Sequence, residues 1–591
     1  MARYYDFAGA KIILPGAYSD RSFPEDQGAG AVTGRVIIMG EATKGGIPYN
    51  AETEVEDVIN VVEGQAQALN VFGGGTVYYG AEFFLTPTKD ERFNKPSEAK
   101  CIVVNQMTQA STTITASGSV TSDIIDVAWD KYGTDGNLAS HKISAGTNTG
   151  KKVEVTYKGV SQLDQDDTIL NLMSIQYTGA GSACAMTINA TTLSTTCTGD
   201  AASDLSLTLS EFTDMGSLIN YINSQANYTC TLTGQSDEKT TVFDAVTSQD
   251  IKTIAYSCVG IVEAIIRALN ATELCTATLG TGAARDIPDN QSEFTFFTGG
   301  TVSAATTDDW TAALLKLEDY ELNNIVAVTG SETIHLLVQD HVDRMNLVKN
   351  KKYRQAGFGA GSTTNTKASR IAEMKALNSA YLEYCVSPFK RYDYINNEVP
   401  TTDFYPFYLY PMIAGFRYAN NVGMDVVFKY LNVLSTPEIN RKDQEDYAAA
   451  GATLIQKTTN VNNISQFEIK VNNTTYQGSQ ITRTNPSVVY EINVLTKDFE
   501  EQVIEQIRGL DTVANSVIIS KIQSWITTFL FPKYRDDFGW ITDGPDGQKA
   551  FDNVVFEQDG EQFKTTATLT MSVTPRFAFN FLTFITPGQN V

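Results

Sequence analysis

The chain has 591 residues and a formal net charge of −24 at pH 7, and 42% of its residues are hydrophobic. That hydrophobic content excludes wholesale disorder, and the length indicates about three or four domains. The net charge of −24 argues against a nucleic-acid-binding surface, because phosphate contacts require clustered lysines and arginines.

Targeting and membrane signals are also missing from the sequence. The N-terminal residues contain no apolar segment of signal-peptide length, and no run approaches the roughly 18 apolar residues of a membrane span. The longest uncharged candidate, Phe404 to Phe416, is short and contains two prolines. We therefore expect a soluble product made in a cytoplasm, with no membrane insertion.

An N-terminal arm is predicted over residues 1–25. Its strand-sized apolar run, Ile12, Ile13 and Leu14, is stopped by a Pro-Gly turn signal and stands ahead of any partner strand. Two interpretations remain open: a strand docked on the first domain, or an extended arm that adds to another subunit's sheet.

Residues 26–130 are predicted to form the first part of an α/β core. A buried-type strand over residues 34–40 is followed by helical character over residues 52–71 and by an inner-strand run at 101–107. Strand, helix and strand in that order indicate an α/β layer.

An inserted β-sandwich domain is predicted over residues 131–290. Threonine, serine, glycine and short alternating runs dominate there, with one helical interruption near Gly216 to Gln225. Five of the seven cysteines fall in this domain: Cys184, Cys197, Cys230, Cys258 and Cys275. With an odd total and no CxxC, buried free thiols are favoured, and disulfides formed later outside a cell are the alternative.

The second part of the α/β core is predicted over residues 291–483. Thr306 and Asp309 resemble a capping box, and residues 324–328 form a strand. A helix follows, marked by apolar positions from Ile334 to Met345.

The rest of this region is predicted as a loop and two strands. Residues 349–365 are basic and then rich in glycine, serine and threonine, which is typical of a mobile loop. Tyr381 to Val386 and Tyr410 to Ala414 are predicted to be inner strands.

A compact α+β C-terminal domain is predicted over residues 484–575. Its expected elements are a strand, two helices and a strictly alternating strand, at Ser487–Val494, Phe499–Ile507, Ile518–Phe529 and Lys564–Thr574. Pro532 is expected to stop the second helix.

A C-terminal arm is predicted over residues 576–591. Alternation resumes there with Phe577, Phe579 and Phe581. An end so apolar has to be buried in its own domain or against a neighbour, and we favour the neighbour.

Catalytic, cofactor-binding and metal sites are not predicted. His335 and His341 are six residues apart on one helix, about 600° round, and so do not share a metal-binding face. No HExxH, GxSxG or Walker A motif occurs. Asp164, Asp166 and Asp167 lack EF-hand spacing, which favours a solvated loop over calcium binding.

A basic run stands out in this acidic chain. It consists of Arg344, Lys349, Lys351, Lys352 and Arg354. A solvated helix end is one interpretation, and an electrostatic interface with an acidic neighbouring subunit is the one we favour.

Several short motifs occur in a collinear series. They are LPGAYS, VIIMGEATKGGIP, YGTDGN at 132–137, SLINYINSQANY, FFTGGT, TTDDWTAALLKLED, HVDRM and YRQAGFG. In this series the chain resembles the contractile tail sheath proteins of bacteriophages, the myovirus-type tail sheath family. The resemblance covers nearly the whole chain.

The resemblance implies a structural protein and not an enzyme. It implies an α/β core with a subtilisin-like layout, an outward-facing inserted domain and a tube-facing C-terminal domain. Sheath subunits form hexameric rings stacked around a tail tube protein, with baseplate and tail-terminator proteins as further partners. Their contraction drives the tube through the host envelope, and extended arms exchange strands between subunits. The expected location is the virion tail, assembled in the host cytoplasm, with no cofactor.

Alternative functions remain. The sheath of a bacteriocin or of another contractile injection system is the nearest one. A secreted surface-array or adhesin protein belongs to a different class. A subtilisin-like enzyme would need an Asp/His/Ser set in which only His335 or His341 could serve.

Overall fold

The computed structural model describes most of the chain. The described residues are 5–7, 10–12, 35–51, 54–117, 121–280, 285–347, 350, 352–362, 366–459, 465–508, 516–543, 547, 549–558 and 567–573. They divide into two compact units: unit 1 comprises residues 1–39, 80–100 and 314–591, and unit 2 comprises 40–79 and 101–313.

Strands occur throughout the described residues. In chain order they are β1 Tyr5–Phe7, β2 Ala10–Ile12, β3 Val36–Gly40, β4 Asn60–Val62, β5 Ala99–Val103, β6 Met107–Ser117, β7 Thr121–Tyr132, β8 Ala139–Ala145, β9 Lys151–Tyr157, β10 Val160–Thr168, β11 Asn171–Tyr177, β12 Ala183–Ile188, β13 Thr192–Thr198, β14 Ser206–Thr208, β15 Tyr228–Leu232, β16 Val246–Asp250, β17 Tyr256–Val259, β18 Cys275–Leu279, β19 Thr295–Phe296, β20 Thr301–Val302, β21 Asn324–Ala327, β22 Gln355–Gly359, β23 Leu382–Cys385, β24 Ala452–Thr459, β25 Ser465–Asn472, β26 Phe551–Gln558 and β27 Ala567–Val573.

Helices are interspersed among these strands. The α-helices are α1 Gln65–Phe72, α2 Gly75–Leu85, α3 Met215–Ser224, α4 Ile261–Asn270, α5 Thr307–Lys316, α6 Glu332–Met345, α7 Lys367–Leu377, α8 Leu409–Tyr418, α9 Arg441–Ala449, α10 Ile481–Thr484, α11 Pro486–Arg508 and α12 Ser516–Trp525. Two π-helical segments, Ile526–Leu530 and Lys533–Asp537, continue α12. No helix within the described ranges is long and apolar enough to cross a membrane.

A largely parallel sheet forms the core of unit 1. Six strands of this eight-stranded sheet lie in the order β25-β24-β23-β22-β21-β3, and these six are parallel except β25, which forms an antiparallel hairpin with β24. Every residue of β3, β21, β22 and β23 is buried. Burial on both faces is the usual condition of parallel strands, because their crossover helices cover the sheet. The predicted strands over residues 34–40, 324–328 and 381–386 are confirmed.

One strand of this sheet replaces a predicted loop. The sequence predicts a mobile loop over residues 349–365, but Gln355–Gly359 forms the buried strand β22 between β21 and β23. The prediction is wrong because glycine, which is typical of loops, here provides space between packed elements. A Cβ added at Gly357 would lie 2.1 Å from Cζ of Tyr410, so the ring of Tyr410 fills the space that a side chain would need.

Two further predicted strands are helices. Tyr410 to Ala414 lies in α8, and all ten residues of this helix are buried. A helix that is buried all round has no solvent-exposed polar face to reveal its period, so its sequence resembles that of an inner strand. Ser487 to Val494 lies in α11, which starts with Pro486 at a position that suits proline.

Helix ends also differ from the predictions at two places. Pro532 does not stop the second helix of the C-terminal domain, because it lies between the two π-helical segments. The predicted helix over residues 52–71 begins only at Gln65, after the strand β4. The helix from Ile334 to Met345 and the capping pair Thr306 and Asp309 are confirmed.

Two hydrophobic cores occur among the described residues of unit 2. The first contains side chains from β6, β7, β8, β9, β18 and α4, and the second contains side chains from β11 to β15, β17 and α3. The helical interruption predicted near Gly216 is confirmed as α3, which starts with a capping box between Asp214 and Ser217. The mixed α/β, multidomain class with several sheets is thus confirmed, and the finer domain bounds stay predictions.

The helix α4 was not predicted. Its N-terminus is capped by the buried carboxylate of Asp244, which accepts hydrogen bonds from the backbone N–H of Ile261 at 2.7 Å and of Val262 at 3.0 Å. Burial raises the pKa of Asp244 to about 6, against the opposing effect of these hydrogen bonds. The cap comes from a residue distant in sequence, so no local capping motif announces the helix.

The cysteines follow both of the open interpretations. Cys184 and Cys197 on the neighbouring strands β12 and β13 form a disulfide, which corrects the preference for free thiols at this pair. Cys101, Cys230, Cys258, Cys275 and Cys385 are buried free thiols.

Reduction of this disulfide is expected to destabilise the second core of unit 2. The bond closes a loop with a sequence separation of 13. Loss of a cross-link over about this length lowers the free energy of unfolding by about 3 kcal/mol. Urea unfolding with and without dithiothreitol measures the effect. A C184A/C197A variant should show no response to the reductant, and an equal response in this variant and the natural chain would contradict the prediction.

Candidate functional site

His335, the first candidate catalytic residue, is enclosed in the core of unit 1. Its Nδ1 lies 2.5 Å from Oε1 of Glu373, and its Nε2 lies 2.9 Å from the carbonyl oxygen of Thr329. Its ring stacks on Phe358, and the hydroxyl of Tyr384 donates to the other oxygen of Glu373. Neither ring nitrogen contacts a serine, threonine or cysteine side chain among the described residues. The arrangement supports packing and not nucleophilic catalysis.

His341 is also buried and stays neutral. Its Nε2 lies 3.0 Å from Nη1 of Arg354. Burial, together with the positive charges of Arg354 and Arg344, lowers the pKa of His341 to about 3. Neutral Nε2 therefore accepts a hydrogen bond from the arginine, and the packed interpretation of this histidine is confirmed.

The predicted acidic loop is instead part of the strand β10, and two of its carboxylates organise a neighbouring turn. Asp166 accepts a hydrogen bond from the backbone N–H of Thr147 at 3.0 Å, and Asp167 accepts from Asn148 at 2.8 Å and Thr149 at 3.0 Å. Within the ranges that the structure covers, no group of three or more His, Cys, Asp or Glu residues is arranged to hold a metal ion. These carboxylates therefore shape the loop between β8 and β9.

Arg354 does not lie on the predicted basic surface. Its side chain is buried and donates to the carbonyl oxygens of Leu317 at 3.0 Å, Tyr320 at 3.1 Å and Lys352 at 3.2 Å. Burial lowers the pKa of Arg354 to about 10, which leaves it charged at neutral pH. Arg354 thus ties the segment before β21 to the segment before β22, and its assignment to the surface is corrected.

Arg344 and Lys352 remain on the surface of unit 1 and have acidic partners. The guanidinium of Arg344 pairs with Glu318, and Nζ of Lys352 lies 2.6 Å from Oε1 of Glu321. Lys352 also donates to the carbonyl oxygen of Asp319 at 2.9 Å. The exposed fraction is 42% for the side chain of Arg344 and 23% for that of Lys352. Lys349 and Lys351 lie outside the described residues.

Glu321 links the basic run to the C-terminal region. Besides Lys352, it pairs with Lys497 on α11. Burial opposes ionisation, but hydrogen bonds from the two lysines outweigh it and lower the pKa of Glu321. Close by, the hydroxyl of Tyr353 donates to Oε1 of Glu500 at 3.0 Å. Glu318, Glu321 and Lys497 were not predicted, although the acid-rich LEDYEL stretch directly before a buried strand is a usable signal for the two glutamates.

The predicted arm residues lie mostly outside the described part of the chain. Ile12 ends β2, which pairs with β1 in an antiparallel hairpin. Ile13, Leu14, Phe577, Phe579 and Phe581 lie outside the described residues, so their role as inter-subunit strands stays a prediction. The alternating strand before the C-terminal arm is confirmed as β27, which pairs with β26.

Comparison with known proteins gives one consistent result. No protein-family model matches the chain. The tail sheath protein of Bacillus phage SP01 is 25% identical over 553 residues, which cover 88% of this chain and 90% of that protein. The crystal structure of a sheath tail protein from Desulfitobacterium hafniense matches with a TM-score of 0.52 and 11% identity, covering 95% of this chain and 100% of that one. A sheath tail protein from Listeria innocua matches with a TM-score of 0.47 and 12% identity, covering 87% of this chain and 86% of that one.

These matches concern nearly the whole length of the chain and of its relatives. The Desulfitobacterium structure shares its fold with this chain. The predicted resemblance to contractile tail sheath proteins is confirmed.

Proposed function

We propose that the chain is the structural subunit of a contractile phage tail sheath and has no catalytic role. The similarity to a phage tail sheath protein over 88% of the chain carries the proposal, because it spans both units and does not rest on an isolated motif. The two histidines that an enzyme could have used are both buried in contacts of the fold, which agrees with a structural role.

The subunits assemble as stacked hexameric rings around a tail tube. Baseplate and tail-terminator proteins are the further partners of this assembly. Contraction draws on the difference between two packings of the subunits and needs no nucleotide. The subtilisin-like layout of the core, the outward position of the inserted domain and the tube-facing position of the C-terminal domain belong to this proposal. So does the virion tail as its location, with assembly in the host cytoplasm.

The arms connect the rings by adding strands to a neighbour's sheet. Support comes from β26 and β27, which form a two-stranded sheet within the described residues. An isolated two-stranded sheet is only marginally stable, and its outer edges offer backbone hydrogen-bonding groups to further strands. Ile12, Ile13 and Leu14 in one arm, and Phe577, Phe579 and Phe581 in the other, supply the apolar side chains for such pairing.

The basic run contributes an electrostatic contact with the acidic surface of a neighbouring subunit. With Arg354 buried, the contact rests on Arg344, Lys349, Lys351 and Lys352. A chain with a net charge of −24 presents acidic surface to every neighbour, so a local positive surface fixes the orientation of the contact.

Electron microscopy of the purified chain tests the proposal. We expect hollow, striated tubes in negative stain, together with a sedimenting fraction that grows with protein concentration. The same chain unfolded in urea and left unrefolded serves as the control for nonspecific aggregation. Discrete monomers at every concentration, with no tubes, would refute the proposed function.

A further inference from the structure

The basic surface of unit 1 is already occupied by acids of the same chain. We define this surface by Arg344 and Lys352, the described cations of the basic run that are partly exposed. Glu318 and Glu321 pair with them from the segment between α5 and β21. The proposed docking surface for an acidic neighbour is thus neutralised by glutamates of the same subunit.

These internal pairs can be exchanged without unfolding. The exposed fraction of the side chain is 26% for Glu318 and 37% for Glu321, so water and other carboxylates reach both pairs. Ion pairs that are partly open to solvent contribute little net free energy, and a second carboxylate of equal geometry can displace the first. Arg354, by contrast, is buried against backbone carbonyl oxygens and does not take part in such an exchange.

We infer that Glu318 and Glu321 are internal competitors that cover the basic surface until acidic side chains of a second copy of this chain displace them. The inference rests on the proposed function, because it concerns the contact between subunits during sheath assembly. Breaking the internal ion pairs makes the free energy of that contact less favourable. Its consequence is that a free subunit associates less readily than a subunit with an uncovered basic surface, which restrains assembly at low concentration.

Competition has a signature that a merely stabilising ion pair lacks. If Glu318 and Glu321 only stabilise the subunit, removing either side of the pairs breaks the same bonds and shifts assembly in the same direction. If they compete with a second copy, removing the acids frees the cations, whereas removing the cations destroys the docking surface. The two kinds of variant then shift assembly in opposite directions.

The experiment measures the critical concentration for polymerisation of the full-length chain by sedimentation, with tubes verified by electron microscopy. E318Q/E321Q is expected to lower the critical concentration about three- to tenfold, and R344Q/K352Q to raise it by a similar factor. The matched control is E438Q/E445Q, which removes the same charge from two exposed acids and corrects for the reduced net charge. Circular dichroism of each variant establishes that the subunit is folded.

The Lys497→Gln variant tests whether a change in assembly comes from uncovering the basic surface or from loss of the ion pair that Glu321 makes with α11. It removes the α11 partner of Glu321 and leaves the pair with Lys352 in place, so its critical concentration should equal that of the natural chain. A decrease as large as that of E318Q/E321Q would overturn the inference.

Failure of the inference and failure of the proposed function give different results. Equal critical concentrations for E318Q/E321Q and its control would overturn the inference alone. Shifts in the same direction for the acidic and the basic variants would do the same. A natural chain that forms no tubes at any concentration would overturn the proposed function, and the inference with it.

Discussion

Replacement of Arg417 with methionine is expected to lower the free energy of unfolding by about 3–5 kcal/mol, because it leaves the buried carboxylate of Glu383 without its positive partner. The side chains of Arg417 and Glu383 are 0% and 1% exposed, and Nη2 of the arginine lies 2.9 Å from Oε2 of the glutamate. Burial disfavours the charged arginine, but Glu383 outweighs it and raises the pKa of Arg417 above its ordinary value. Urea denaturation followed by tryptophan fluorescence measures the loss.

The remaining partners of this pair explain why removal is so costly. Asn472 accepts from Nη2 of Arg417 at 2.7 Å and donates to Oε2 of Glu383 at 2.7 Å, and the hydroxyl of Tyr410 lies 3.2 Å from Oε1. These groups cannot replace the lost positive charge.

Two variants control the Arg417 experiment. Arg441→Met removes an arginine whose side chain is 93% exposed and is expected to cost less than about 0.5 kcal/mol. Combining R417M with E383M removes both buried charges and should recover part of the lost stability. Equal unfolding curves for R417M and R441M would show that the buried pair contributes nothing.

Elements with one apolar face were predictable from the sequence. In α6 the buried residues Ile334, Val338, Val342 and Met345 recur at helical spacing, while exposed positions separate them. The alternation in β27 likewise predicted the strand before the C-terminal arm. In both cases polar and apolar residues alternate at the period of the element, so the sequence itself reports that period.

Fully buried elements were not predictable in the same way. All residues of α8 and β22 are buried, so neither has a polar face that reveals helix or strand. Their conformations depend on how the two elements pack against each other, because Gly357 of β22 leaves room for the ring of Tyr410 of α8. That contact joins residues far apart in sequence, and local periodicity does not contain it.

The candidate site was predictable only as a set of charges. The sequence identified the basic run but not the direction of each side chain. Arg354 turns inward because the carbonyl oxygens of Leu317 and Tyr320 need donors at that point of the fold. Arg344 and Lys352 lie at the surface and form ion pairs with Glu318 and Glu321, which precede the neighbouring strand β21. Only the parallel order of the sheet brings these segments together.

Removal of residues 576–591 is expected to abolish polymerisation and leave the subunit folded. The segment carries Phe577, Phe579 and Phe581 at alternate positions, which is the pattern of a strand with one apolar face. Residues 574–591 follow the last described strand, and a fully extended segment of this length would span about 60 Å. Sedimentation and negative-stain microscopy should find a loss of tubes, and circular dichroism an unchanged subunit.

Two further variants separate strand exchange from a general effect of shortening the chain. Removal of residues 587–591 takes away only PGQNV and keeps every phenylalanine, so tubes should still form. Changing Phe577, Phe579 and Phe581 together to serine keeps the length and should remove the tubes, because an added strand needs its apolar side chains as well as its backbone. Tubes from the chain lacking residues 576–591 would contradict the arm exchange while leaving the sheath function in place. The connection between subunits would then rest on the surfaces of the two units, with the basic surface of unit 1 as the first contact to consider.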